Sequence, residues 1–307
     1  MEPKIGRARC PGSCGEWVQG ARSGIPFLVD CPIDRFSNAT VRLFGRKGGW
    51  LVPAGKPKVA RALDLIWAER GIKHLAGEVS FDQELPEGKG MASSTADIVA
   101  AAAAALTALG EQPVVEQLAR LAVHIEPSDS VMFPGITEIN HVHGDSYRIL
   151  GPAVQARFLA LDWGGFINTI DFNARQDLAA HYRRSEQPVR RAFELVFQGI
   201  EKGDLEKLAA GATLSARNNM EINPKPYFEV FYSWVRRQGG LGLVTAHSGT
   251  LLAGVFPPQA ELVGLLGEVR ERFQPAFVDI FNACGDGMTV QDVDQSLLDP
   301  VPERMSS

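Results

Sequence analysis

Residues 86–96 read PEGKGMASSTA, and six consecutive alanines, Ala100–Ala105, follow almost at once. From Ser94 to Leu109 the pattern is apolar nearly all round, which predicts a helix buried on every side, ended by Gly110. The rest of the fold has to be built around that element. In front of it, Gly88 and Gly90 permit backbone geometries closed to other residues and let a ligand approach the main chain. Ser93, Ser94 and Thr95 supply hydroxyls and a helix N-cap. A helix start also presents unpaired N–H groups and a partial positive charge, a ready site for an anion such as phosphate. A tight strand-to-helix connection with a serine cap uses the same residues. The loop is not a Walker A loop, because no Gly-Lys-Ser/Thr follows at the required spacing. Nor is it a dinucleotide fingerprint, because Ser93 stands where a third glycine belongs.

The elements around the loop read as α+β. Short strands are predicted near Ile5–Cys10, Phe27–Cys31 and Asn38–Phe44, with the turn-rich segment CPGSCGEWVQG between the first two. Val59, Ala62, Leu63, Ile66 and Trp67 give 57–70 a helical spacing, and Glu78–Leu85 alternates as a strand entering the glycine loop. A second helix is expected to begin at Pro113 and run to Ile125. Further on, a strand over 154–162 precedes a looser segment to about residue 188. Helices are predicted over 189–201, 204–217, 227–238 and 259–273, with strands over 241–246, 251–256 and 276–281. The expected organisation is two α+β lobes, 1–150 and 151–290, followed by an irregular tail over 291–307.

Composition narrows the class of partner. A chain of 307 residues with 45% hydrophobic and 22% charged content and a net charge of −5 carries no basic footprint for nucleic acid. No apolar run approaches the roughly 20 residues that span a bilayer, and the N-terminus has no apolar signal core. Cys10, Cys14, Cys31 and Cys284 suggest neither a disulfide framework nor a zinc site in a chain of this size. A cytoplasmic protein without membrane or nucleic-acid partners is the expectation.

Two further stretches carry chemistry. Pro127 disfavours helical geometry at Glu126, which places that carboxylate at the negative end of a helix, where a cation relieves the conflict. Magnesium in phosphoryl-transfer sites takes one or two carboxylates, a hydroxyl and phosphate oxygens, a set that Glu126 beside Ser94 can supply. Asp129 can orient or deprotonate a substrate hydroxyl; alternatively it caps the next turn while Glu126 is solvated. The segment VTAHSGTLLAGVF, 244–256, places a small-residue turn between two apolar strands, able to press against a ligand or to serve as a plain hairpin. His247 reads equally as a structural or a functional residue. His141 and His143 lack a third ligand and are not read as a metal site.

Taken in order, these segments resemble the GHMP superfamily of small-molecule kinases. Its second motif, Pro-x-x-x-Gly-Leu-x-Ser-Ser-x-Ala, is matched by Pro86, Gly90, Met91, Ser93, Ser94 and Ala96, with methionine in place of leucine. CPGSCGE, GKGMASSTADI, IEPSDS and AHSG together are similar to the branch of L-threonine kinases of cobalamin biosynthesis. The resemblance implies a ribosomal protein S5 domain 2-like N-terminal domain and a ferredoxin-like C-terminal domain. It implies ATP over Pro86, Glu87, Gly88, Lys89, Gly90, Met91, Ala92, Ser93, Ser94, Thr95 and Ala96, and Mg²⁺ on Ser94 and Glu126. Asp129 falls near the catalytic aspartate of several members. The SCGE and AHSG segments suggest Ser13, Cys14, Gly15, Glu16, His247, Ser248 and Gly249 for the substrate, L-threonine, with Glu16 the candidate for its ammonium. Lys89 either touches phosphate oxygens or is solvated, and Ala92 stands where glycine is common in the wider family. A kinase of another small alcohol such as homoserine, or a non-catalytic nucleotide-binding regulator, remains the alternative; a monomer or a homodimer is compatible with the sequence.

Overall fold

The computed structural model describes residues 3–72, 75–82 and 85–291. Of the tail expected to be irregular, residues 292–307 lie outside the described residues. The chain is α+β, and its described strands form one eleven-stranded sheet with the path β10-β7-β9-β8-β1-β2-β4-β3.

The sheet is organised by a long antiparallel hairpin, β1 (Lys4–Arg22) and β2 (Ile25–Phe44). The segment CPGSCGEWVQG, expected to be a turn, lies inside β1. Proline and glycine fit poorly in a regular ladder, and the strand absorbs them as shifts of register at Pro11/Gly12, Ser13/Glu16 and Glu16/Val18. Such bulges re-aim side chains. Here they set Glu16 opposite Asp30 on one side and Thr245 of β8 (Gly242–Thr245) on the other.

β3 (Trp50–Leu51), α1 (Pro57–Glu69) and β4 (Ala76–Phe81) follow the hairpin. α2 (Ser93–Leu109) then runs across β1 and β2, with α1 and α3 (Val115–Ile125) against its other sides. Ala100–Ala105 are fully buried, as an all-round apolar pattern requires. The alanines let backbones touch: a Cβ at Gly6 of β1 would lie 2.1 Å from the Ala104 carbonyl oxygen. A bulkier run would lift the helix off the sheet. α3 begins at Val115 rather than at Pro113, which lies before the extended N-cap Val114. The hairpin β5 (Ile136–Ile139) and β6 (Tyr147–Gly151) pairs with β2.

The remaining strands, β7 (Arg157–Asp162), β8, β9 (Leu252–Phe256) and β10 (Phe277–Asn282), are antiparallel, and β11 (Thr289–Gln291) returns to pair with β1. After the short α4 (Thr169–Asn173), α5 (Leu178–Lys202) starts well before the predicted boundary and carries Pro188 inside it. Proline lacks a donor and ordinarily ends a helix. Leu178, His181 and Ser185 nonetheless continue the buried face of Val189 and Ala192, so packing holds the helix through that position. α6 (Leu205–Asn219) and α7 (Phe228–Arg237) fall close to prediction; the expected helix over 259–273 is reduced to a 3₁₀ turn and α8 (Leu266–Phe273). Among the described residues no helix is long and apolar enough to cross a membrane.

Candidate active site

The glycine loop joins β4 to α2, and neighbouring backbone holds it from two directions. The Met91 carbonyl accepts from the Ser13 N–H at 3.0 Å, and the Lys89 carbonyl accepts from Thr250 and Leu251 N–H, both at 3.1 Å. Gly90 adopts φ +81, and a Cβ there would lie 2.2 Å from the Ala246 Cβ. The loop and the AHSGT turn therefore interlock through main chain. Serine does not cap α2: its N-cap is Ala92 at φ +57, with no side-chain capping bond. A left-handed backbone explains why glycine suits that position and is strained for alanine. Without a side-chain cap, the first-turn N–H groups remain available to an anion.

Those groups face a cavity of about 270 Å³. Gly88 and Gly90–Thr95 form one wall, the start of α1 (Lys56–Val59) a second, and Phe166–Thr169 a third, with Glu126, Asp129, Glu16 and Ser248 completing the enclosure. Glu126, only 4% exposed, is the C-cap residue of α3; its carboxylate accepts from the Ser94 hydroxyl and from Lys58 Nζ at 2.5 Å. Its second partner is thus a cation, which answers the conflict between a carboxylate and a helix C-terminus. A hydroxyl beside a carboxylate is a hard oxygen pair of the kind Mg²⁺ takes, so these residues fit that ion.

Asp129 Oδ2 accepts from the Thr95 hydroxyl at 3.1 Å. Its carboxylate, with those of Glu16 and Asp30, offers oxygens all within 4.8 Å of one another. Burial and then Glu16 raise its pKa to about 7, the Thr95 bond opposing them. Asp30, 1% exposed, accepts from the backbone N–H and hydroxyl of Ser130; burial, Asp129 and Glu16 push its carboxyl well above the usual range. Glu16 Oε2 accepts from the His247 backbone N–H at 2.7 Å and sits 2.9 Å from its Nδ1, while His247 Nε2 lies 2.9 Å from Ser215 Oγ. His247 therefore ties β1, the AHSGT turn and α6 together.

Several predicted residues stand around the cavity rather than on its wall. The Ser13 hydroxyl is used by the carbonyls of Gly15 and Cys31, and Cys14 is fully buried, its thiol pushed up by burial and by Glu16. Gly15, His247, Gly249, Pro86 and Ala96 likewise lie off the wall. Lys89, expected against phosphate or in solvent, donates to Asp162 at 2.7 Å and to the Gly165 carbonyl at 3.0 Å, the buried carboxylate outcompeting water for its charge.

Other wall residues escaped the sequence reading. Lys56 Nζ lies 2.7 Å from Asp97 and 3.2 Å from Glu87, and Lys58 lies on Glu126. Lysines flanking Pro57 at a helix start oppose the helix dipole, a signal of the same kind as Glu126 at a helix end. The Phe166–Thr169 segment carried no signal of its own.

Residues 57–133 match the family model described as the GHMP kinases N terminal domain. An L-threonine kinase from Salmonella typhimurium is 33% identical over 278 residues, covering 86% of this chain and 88% of that protein. An L-threonine kinase from Citrobacter freundii is 32% identical over 250 residues, 80% and 84% of the two chains. Among solved structures, MDDEF in complex with MVAPP, AMPPCP and magnesium shares the fold, with a TM-score of 0.69 at 17% identity over 95% of this chain and 100% of that one. Homoserine kinase from Cytophaga hutchinsonii gives a TM-score of 0.67 at 16% identity, over 94% and 98%. With the loop, the uncapped helix start and the Ser94–Glu126 pair gathered on one cavity, this chain belongs to the GHMP kinases and, among them, to the L-threonine kinase family.

Proposed function

We propose that this chain transfers the γ-phosphoryl group of ATP to the side-chain hydroxyl of L-threonine, giving L-threonine O-3-phosphate. The observation that carries this reading is the meeting of an uncapped helix N-terminus with a hydroxyl–carboxylate pair in one cavity, in a chain one-third identical to an L-threonine kinase. The loop 86–96 cradles the triphosphate, and Lys56 and Lys58 add positive charge from the facing wall. Ser94 and Glu126 would hold Mg²⁺, and the ion would supply neutralisation of phosphate charge there. Asp129, with its pKa near 7, accepts the hydroxyl proton as the new O–P bond forms and the bond from the γ-phosphorus to the β,γ-bridging oxygen breaks, releasing ADP. Glu16 faces the ammonium of the amino acid, and the 246–249 turn borders it.

The finer reading is a cytoplasmic enzyme, monomer or homodimer, with 1–150 and 151–290 as its two lobes and no nucleic-acid or membrane partner. Its product supplies the aminopropanol linker of cobalamin. ³¹P NMR of the product formed from Mg-ATP and L-threonine tests the central claim. A phosphate monoester on the side-chain oxygen of threonine is the expected signal. Preferential turnover of homoserine in a panel of hydroxylated amino acids would sink the substrate assignment, and ATP binding without transfer to any alcohol would favour a regulator.

A further inference from the structure

An amino acid carries two charges, and the acids around Glu16 answer only one of them. Glu16, beside the carboxyls of Asp30 and Asp129, suits an ammonium. The lysines on the cavity wall are engaged elsewhere, Lys56 with Asp97 and Lys58 with Glu126. A cation for the carboxylate has to come from another element.

The segment after α6 supplies one. Lys225 is 7% exposed, and its ammonium has a single hydrogen-bond partner among the described residues, the Asn223 carbonyl at 3.1 Å. Asn223 is itself locked to the AHSGT turn, its amide donating to the carbonyls of His247 at 2.9 Å and Gly249 at 2.8 Å. Asn219, the last residue of α6, donates to the same His247 carbonyl at 3.3 Å and leaves its own buried Oδ1 without a partner among the described residues. An ammonium buried with one carbonyl partner is costly unless a counter-charge arrives. Through Asn223 the ammonium is tied to the carbonyls of His247 and Gly249, which flank Ser248 on the cavity wall; burial pushes it down to about 7, with Glu16 and Asp162 opposing. Asp162 already holds Lys89.

We infer that Lys225 is a specificity-determining residue that pairs with the α-carboxylate of the amino-acid substrate, while Glu16 takes its ammonium. The inference rests on the threonine-kinase reading above. It explains why a lysine with so few partners is kept buried beside the turn: the missing partner is the substrate.

The test compares L-threonine with L-threoninamide, which has the same shape without the carboxylate charge, in wild type, Lys225→Gln and Lys225→Arg. Wild type is expected to favour L-threonine in kcat/KM by about 30-fold or more, the size of effect seen when one partner of a buried charge pair is removed. In Lys225→Gln that preference collapses through a rise in KM for L-threonine, with KM for ATP unchanged and thermal stability equal to or above wild type. Lys225→Arg keeps a measurable preference, which guards against a misfolded glutamine variant. A Lys225→Gln protein that keeps the wild-type preference, or loses both substrates equally with a lower melting temperature, overturns the inference and assigns Lys225 a structural role. Wild type that turns over both substrates equally also overturns it while leaving the kinase reading intact. Wild type that phosphorylates neither overturns both.

Discussion

Glu126 sits where a helix dipole disfavours an acid, is nearly buried, and is held there by Ser94 and Lys58. Replacing Ser94 or Glu126 by alanine is expected to reduce kcat by about 100-fold or more, the cost typical of losing an electrostatic stabiliser of the transition state. Circular dichroism should show the fold intact, and near-normal turnover in either variant would remove the metal assignment. Asp129 makes a second prediction, with a defined sign. In the folded chain it stays protonated to about pH 7, whereas an unfolded aspartate ionises near about 4. Between those values the folded state binds more protons, so the stabilising contribution present at low pH is lost as pH rises through about 7. Asn at position 129 removes that slope. The Asp129→Asn protein should therefore gain on wild type in melting temperature from about pH 5 to 8, while the wild-type rise of kcat through about pH 7 disappears in the variant.

At the scale of elements, α2 does two jobs with one sequence. Its N-terminus is left uncapped toward the cavity, and its alanine run lets it lie directly on β1. Gly6→Ala would push a methyl group into the Ala104 carbonyl, and is expected to cost about 1–3 kcal/mol in urea unfolding, as overpacking does. The elements also show how far the sequence could be read. The buried helix was legible because its signal is local, an all-round apolar pattern ended by Gly110. Helix α5 was not: Pro188 argues against a helix running through that position, and only packing of Leu178, His181 and Ser185 overrides it. Only the bulged part of β1, CPGSCGEWVQG, reads as turn-rich, for a related reason: proline and glycine carry the same local signal in a turn and in a bulge.

At the scale of the whole molecule, β8 meets β1 through the pair Glu16 and Thr245, and Glu16 also anchors the turn at His247. The cavity lies beside that seam, walled by residues from 16 to 248. A ligand bound by the folded state alone stabilises it by about 2.7 kcal/mol when present at about 100 times its Kd. Mg-ATP is therefore expected to raise the melting temperature of wild type, and Ser94→Ala and Glu126→Ala to lose the magnesium-dependent part of that rise. An equal shift in all three proteins, read by scanning calorimetry with and without EDTA, would argue against those two side chains as the ligands.

By itself the sequence determined the buried alanine helix, the glycine–serine loop before it and an acid placed at a helix end, because each is written in residues close together along the chain. It also carried the family, through the order and spacing of its motifs. Only the tertiary structure decided which of those residues reach the cavity. It turned Ser13 and Cys14 into the hairpin, gave Lys89 to Asp162, brought Lys56, Lys58 and Phe166 to the wall, and tied Lys225 through Asn223 to the His247 turn. Those placements depend on bulge register and on contacts between residues far apart in sequence, and such contacts are fixed by packing across the sheet rather than by any local pattern.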